Sequence, residues 1–272
     1  VREVEPILAR GLIASAPCQT FSEGGLRSGQ RQLDLVVQAI KRLDTGEWPA
    51  EEVAATDDPR TALVLEPLRW ALTTQPEWVA LEQVPSVLPI WEAIAAVLTG
   101  RGYSTATGVL SAEQFGVPQA RKRAVLVARL HGEAELPAAT HAAYNGRGGP
   151  VDAAFPRWIS MAEAIGWGLS DAPAPTVLTA RGRQAGADVL VGSSWRRAWW
   201  RERIAESTWV PRPTDRAAHS QVRLTIEEAA TLQSLPPGHP WCGPVASRFR
   251  QIGNAIPPLM AGAVLVCTGA TS

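Results

Sequence analysis

The sequence predicts an α/β fold built on a doubly wound sheet, and three observations carry that reading. Apolar runs of strand length recur in the first half, at Leu12-Ile13-Ala14, Trp78-Val79-Ala80-Leu81 and Ala124 to Ala128, as expected for strands covered on both faces. Segments with apolar residues at helical spacing separate them. Chemistry-bearing side chains follow the runs, Cys18 after the first and Glu82 after the second, at the carboxyl edge where open α/β sheets place their sites.

Each element has its own local reason. Gly11 to Ser15 reads as a short buried strand, and Glu23 to Gln30, with three glycines, as a loop. Gln32 to Leu43 carries apolar residues at 33, 36, 37, 40 and 43, a helical spacing, and Thr45 to Thr56 reads as a linker. Asp57 or Asp58 is expected to cap a helix that opens with Pro59, has Leu63, Leu65, Leu68 and Leu72 on one face, is kinked by Pro67 and stops at Pro76. A strand at Trp78 to Leu81, a helix at Pro89 to Thr99, and strands at Tyr103 to Leu110 and Ala124 to Ala128 continue the alternation. From His131 to Ser220 glycine, proline and tryptophan are frequent and the periodicity fades, which marks a smaller, irregular, β-containing region. Thr225-x-x-Glu228 forms a capping box, with Leu224 and Ala229 placed as a hydrophobic staple, for a helix running to about Leu235. An apolar helix from Leu259 to Cys267 is expected to return to the first core. The expected domains are 1–130, an α/β domain; 131–220, the irregular region; and 221–272, C-terminal helices.

Composition excludes several classes. With 272 residues, 46% of them hydrophobic and 19% charged, the chain has enough apolar mass for a sizeable core. Cys18, Cys242 and Cys267 form no C-x-x-C pair, and the four histidines lack ligand spacing, so neither a disulfide framework nor a metal site is expected. No apolar run of membrane length and no secretory leader is read, and a cytoplasmic location is expected. Formal net charge is zero, but six arginines between Arg181 and Arg203 stand against only Asp188 and Glu202. They interleave with Trp195, Trp199 and Trp200, a pattern suited to phosphate contact and base stacking, while a solvated basic face and a small tryptophan core are the plainer readings.

A lone cysteine is more often a small buried hydrophobe than a catalyst, so Cys18 alone decides nothing. Six strings in order do. Pro17-Cys18-Gln19 with Phe21-Ser22, Asp58-Pro59-Arg60 with Leu63, Glu82-Gln83-Val84, Gln119-Ala120-Arg121-Lys122-Arg123, Arg223-Leu224-Thr225 to Pro236, and Gln251 to Pro258 together resemble the motif series of the DNA (cytosine-5)-methyltransferases. The resemblance covers most of the chain.

That resemblance implies a Rossmann-like methyltransferase sheet, incomplete at its N-terminus, with 131–220 as the target-recognition region. It implies S-adenosylmethionine-dependent methylation of carbon 5 of a cytosine flipped out of double-stranded DNA, through a covalent bond from cysteine to carbon 6. Cys18 is then the nucleophile, and Glu82 holds nitrogen 3 and the exocyclic amine. Arg121 meets the cytosine O2 atom and Arg123 supports the nucleophile loop. Pro17, Leu63, Asn254 and Ala255 line the cofactor. The loop Glu23 to Arg31 is the expected lid, with Gly24, Gly25 and Gly29 as hinges. A restriction endonuclease acting on the same site is a candidate partner.

The chain departs from the family pattern in three places. Gln83 stands where asparagine is usual, and the stretch between Cys18 and Asp58 is long. The family's opening glycine-rich strand-turn, with the acidic residue that holds the cofactor's ribose, is expected upstream of Val1. Two other readings therefore compete with an active enzyme. One is a DNA-binding remnant or pseudoenzyme that lacks cofactor; the other is a thiol redox protein, disfavoured because no second cysteine is near Cys18.

Overall fold

The computed structural model describes residues 9–22, 28–144, 154–177, 209–210 and 224–270. In chain order the elements are β1 (Gly11–Ala14), α1 (Ser28–Arg31), α2 (Leu33–Asp44), α3 (Ala50–Ala54), α4 (Glu66–Thr74), β2 (Trp78–Gln83), α5 (Leu88–Gly100), β3 (Ser104–Ser111), β4 (Gln119–Ala120) and β5 (Lys122–Arg129). There follow α6 (Met161–Ile165), β6 (Gly168–Leu169), β7 (Ala174–Pro175), β8 (Trp209–Val210), α7 (Ile226–Leu232), α8 (Val245–Asn254) and α9 (Pro258–Cys267). The chain forms two compact units. The first comprises Val1–Leu110, Lys122–Ala138 and Ala263–Ser272, the second Ser111–Arg121 and Ala139–Gly262.

The first unit is built on a four-stranded sheet of order β1-β2-β5-β3. β1 and β2 run parallel with Gly11 opposite Trp78 and Ala14 opposite Leu81, and β2 pairs antiparallel with β5 from Trp78–Arg129 to Gln83–Ala124. The continuous apolar character of β2 and β5 follows from their central places: Val79 and Leu81 on β2, and Ala124 through Ala128 on β5, are buried. Gly11 is required by close approach, because a Cβ there would lie 2.0 Å from the indole of Trp78. Helix α5 buries Ile90, Trp91, Ile94 and Leu98, and Trp91 donates its indole N–H to the Ala124 carbonyl at 3.3 Å. Helix α2 contributes Val36, Ala39, Ile40 and Leu43 to the same core.

Three local expectations change. The stretch Thr45 to Thr56 holds helix α3, steadied by the Arg42 guanidinium, which pairs with Glu47, Glu51 and Glu52. Asp58 does not cap a helix: its carboxylate accepts from the Arg60 N–H at 2.9 Å and from the Arg60 guanidinium at 2.6 Å. Those bonds hold the Asp58 carboxyl down at about 2. Pro67 does not kink a helix either. Thr61–Leu65 forms a separate 3-10 turn, and Pro67 falls in the first turn of α4, where its missing N–H loses no intrahelical bond.

The second unit has its own core, in which Met161, Trp167, Leu169, Val177, Leu224, Ile226, Leu232, Phe249 and Ile252 pack together. Its strands are short, β4 with β7 in parallel and β6 with β8 in antiparallel. The Thr225 capping box forms as the spacing predicts: Thr225 Oγ1 accepts from the Glu228 N–H at 3.1 Å, and Glu228 Oε2 accepts from the Thr225 N–H at 2.7 Å. A second box opens α6 at Ser160 and Glu163, where the Glu163 carboxyl is held below its usual range by the hydrogen bonds from Ser160. Helix α8, whose buried residues are Phe249, Ile252 and Gly253, has no counterpart in the sequence reading. Among the described residues, no helix is long and apolar enough to cross a membrane. The arginine and tryptophan cluster of 181–203 lies outside the described residues.

Candidate active site

The site in the first unit begins with strand register. β1 and β2 are offset by 67 residues, and side chains carry that offset past both ends of the ladder: Arg10 to Glu77, Ser15 to Glu82, and Gln83 to Ala16. The parallel pairing therefore brings the segment Ser15 to Cys18 out beside Glu82 and Gln83 at the carboxyl edge of the sheet.

Cys18 is a free thiol, half-buried, in a tight turn whose Cys18 carbonyl accepts from the N–H groups of Phe21 and Ser22 at 3.0 and 2.8 Å. Glu82 has both carboxylate oxygens engaged. Ser15 Oγ donates to Oε2 at 2.8 Å, and Arg123 Nε approaches Oε1 at 2.6 Å. Arg123 reaches Glu82 from the facing strand β5, and both side chains are only 13–14% exposed. Burial pushes the Arg123 guanidinium down from the ordinary arginine value, while Glu82 and Cys18 push it back up. The Arg123 guanidinium thus pairs with the Glu82 carboxylate and lies within electrostatic reach of the Cys18 thiol, all three in a single unit.

The two arginines of the Gln-x-Arg-x-Arg string part company. Arg121 belongs to the second unit, is 1% exposed, and donates from Nη2 to the carbonyls of Gly253 at 2.8 Å and Ala255 at 3.0 Å. It braces the end of α8. Gln119, fully buried, does similar work: its amide donates to the Leu232 carbonyl and to Gln233 Oε1 and accepts from the Val177 N–H. Gln233 in turn donates to the Ala255 carbonyl at 2.6 Å, so three distant segments meet on one buried amide pair.

Of the residues expected at a cofactor, Pro17 and Leu63 lie in the first unit, both half-buried, and Asn254, exposed, and Ala255 lie in the second. Pro17 and Leu63 fit the apolar parts of a methyl donor and offer nothing to its ribose hydroxyls. Of the expected lid hinges, Gly24 and Gly25 lie outside the described residues. Gly29 is buried in α1, and a Cβ there would fall 2.7 Å from the Phe21 ring, so its place is one of packing rather than hinging.

Sequence reasoning misses Ser15, and it sees in Gln83 only a departure from pattern. The signal for both is the parallel register itself, which sets position 15 opposite 82 and position 16 opposite 83.

The family model of the C-5 cytosine-specific DNA methylases matches residues 51–147, a span that contains Glu82, Arg121 and Arg123. The Type II methyltransferase M1.HphI of Haemophilus parahaemolyticus is 27% identical over 240 residues, covering 76% of this chain and 60% of that protein. The Type II methyltransferase M.AplI of Arthrospira platensis is 29% identical over 273 residues, covering 93% and 66%. The chain thus spans about three-fifths to two-thirds of the length of these curated relatives. In three dimensions it is similar to the Entamoeba histolytica methyltransferase EhMeth, with TM-score 0.54 at 11% identity over 97% of this chain and 78% of that one. The S. pombe Dnmt2 methyltransferase is similar too, with TM-score 0.51 at 16% identity over 95% and 76%. The fold is similar to that of these methyltransferases, and over residues 51–147 the chain matches the C-5 cytosine-specific DNA methylases.

Proposed function

We propose that this chain carries the base-attacking half of an S-adenosylmethionine-dependent enzyme that methylates carbon 5 of a cytosine flipped out of double-stranded DNA. The observation that supports it most is the meeting of Cys18, Glu82 and Arg123 at one strand edge, a nucleophile beside a hydrogen-bonding carboxyl and a fixed cation.

In this reading the Cys18 sulfur bonds to carbon 6 of the ring, and the electrons of the 5,6 double bond move to carbon 5. Glu82 holds nitrogen 3 and the exocyclic amine, and a proton at its carboxyl offsets the charge that attack pushes into the ring. For that, one of its present donors, Ser15 or Arg123, gives way to the base. Arg123 is assigned to the O2 side of the ring and Arg121 to bracing, since Arg121 already commits Nη2 to two backbone carbonyls. The methyl donor would supply an electrophilic methyl group on a sulfonium leaving group, and Pro17 and Leu63 would hold its apolar surface. Loss of the carbon 5 proton and release of the sulfur then restore the aromatic ring and the thiol. The irregular region is assigned to DNA contact, and a restriction endonuclease of the same specificity is the natural functional partner.

The test is a duplex in which every cytosine is 5-fluorocytosine, incubated with the chain and S-adenosylmethionine. Fluorine cannot leave carbon 5 as the proton does, so the covalent complex persists through denaturing electrophoresis. We expect a complex with the wild type and none with Cys18→Ser. A complex that survives in Cys18→Ser, or none with the wild type, overturns the proposal.

A further inference from the structure

The segment around Cys18 is pinned on both sides by side chains from the end of β2 and the turn that follows it. Gln83 is 3% exposed, and its Nε2 donates to the carbonyl of Ala16, two residues before the cysteine. The orientation of that amide is fixed, because its Oε1 accepts from the Val84 N–H at 2.7 Å, which leaves only the Nε2 end for Ala16. Ser86 donates its hydroxyl to the carbonyl of Phe21 at 2.8 Å, three residues after the cysteine. Phe21 is itself 1% exposed, and the adjoining Thr20 carbonyl accepts from the Gly29 N–H at 3.1 Å.

We infer that Gln83 and Ser86 are positioning residues that clamp the backbone at Ala16 and Phe21 and so fix the line along which the Cys18 sulfur reaches a base. A nucleophile on a turn has a wide arc of positions, and attack on a planar ring carbon needs one of them; sub-ångström misplacement lowers rate far more than it lowers binding. The clamp is local to the strand that also bears Glu82. The same short stretch therefore sets the carboxyl and the sulfur in one frame. Gln83, the departure from the family's usual asparagine, has one more methylene with which to reach across to Ala16.

This inference rests on the reading of Cys18 as the nucleophile, and the experiment separates the two. The rate of complex formation with 5-fluorocytosine duplex is measured for the wild type, Gln83→Met, Ser86→Ala and Ser86→Thr, alongside duplex affinity and thermal melting. Gln83→Met keeps the side-chain length without the donor, and Ser86→Thr keeps the hydroxyl. We expect Gln83→Met and Ser86→Ala each to slow complex formation by about tenfold or more while duplex affinity stays within about twofold, and Ser86→Thr to restore most of the rate. Unchanged rates in folded Gln83→Met and Ser86→Ala overturn the clamp and leave the nucleophile standing. Equal losses of rate and duplex affinity, or failure of Ser86→Thr to restore the rate in a folded protein, also overturn it. No complex with the wild type overturns both.

Discussion

Arg121 and Arg123 sit two positions apart in the sequence, yet one is braced on backbone carbonyls and the other stands against a carboxylate and a thiol. The consequences of losing them differ accordingly. Arg121→Met strips the donor from two carbonyls, one of them that of the buried Gly253, and is expected to cost about 2–4 kcal/mol of stability, read as a lowered melting temperature. Arg123→Gln leaves the Glu82 carboxylate without its cation and is also expected to lower the melting temperature, but it is distinguished by slowing formation of the 5-fluorocytosine complex by about 10²-fold in the folded protein, where Arg121→Met does not. The reverse pattern would return the two arginines to the roles that the family resemblance implies for them. The string itself announces two functional arginines. It carries no sign of which is which, because that depends on Gly253 and Ala255, more than 130 residues away in sequence.

At the scale of elements, what the sequence makes legible are the features with short-range causes. The buried strands declare themselves by unbroken apolar runs, and Thr225 and Glu228 by their three-residue spacing. Substituting Thr225→Ala removes the acceptor for the Glu228 N–H and is expected to cost about 1 kcal/mol, measured as a drop of a few degrees in melting temperature. Elements with long-range causes are not legible. Helix α3 is too short to show a period, and it depends on an arginine from α2 that gathers three glutamates. Pro67 reads as a kink in the sequence because nothing local tells that the preceding turn winds as a 3-10 helix and lets α4 begin at Glu66. Ser15 and Gln83 are hidden for the same reason, since their partners are set by the pairing of two strands 67 residues apart.

At the scale of the whole molecule, the zero net charge bears on the proposed function: attraction to DNA would come from local clusters rather than from a general field. The arginines between 181 and 203 are the strongest such cluster in the sequence. Replacing Arg196 and Arg197 together with glutamine is expected to weaken duplex binding and to flatten its dependence on salt by about one unit of logarithmic slope for each phosphate left without its arginine. Equal slopes for the two proteins would assign those arginines elsewhere. The organisation into two units is only partly legible. A change in composition near residue 131 marks the irregular region, but Ser111–Arg121 joins the second unit from within the first half of the chain, and no composition signal sets it apart.

The place of β1 at the rim of its sheet has a mechanical meaning. The strand that leads to Cys18 is laced to one neighbour in the described sheet, β2, and its Ile13 is 63% exposed. On its N-terminal side the Cys18 segment is held by the strand that bears Glu82, through Ser15 on Glu82 and Ala16 on Gln83. Acid and sulfur are therefore tines of one fork: a push on either is felt at the other, and the distance between them is kept by the handle rather than by the tips.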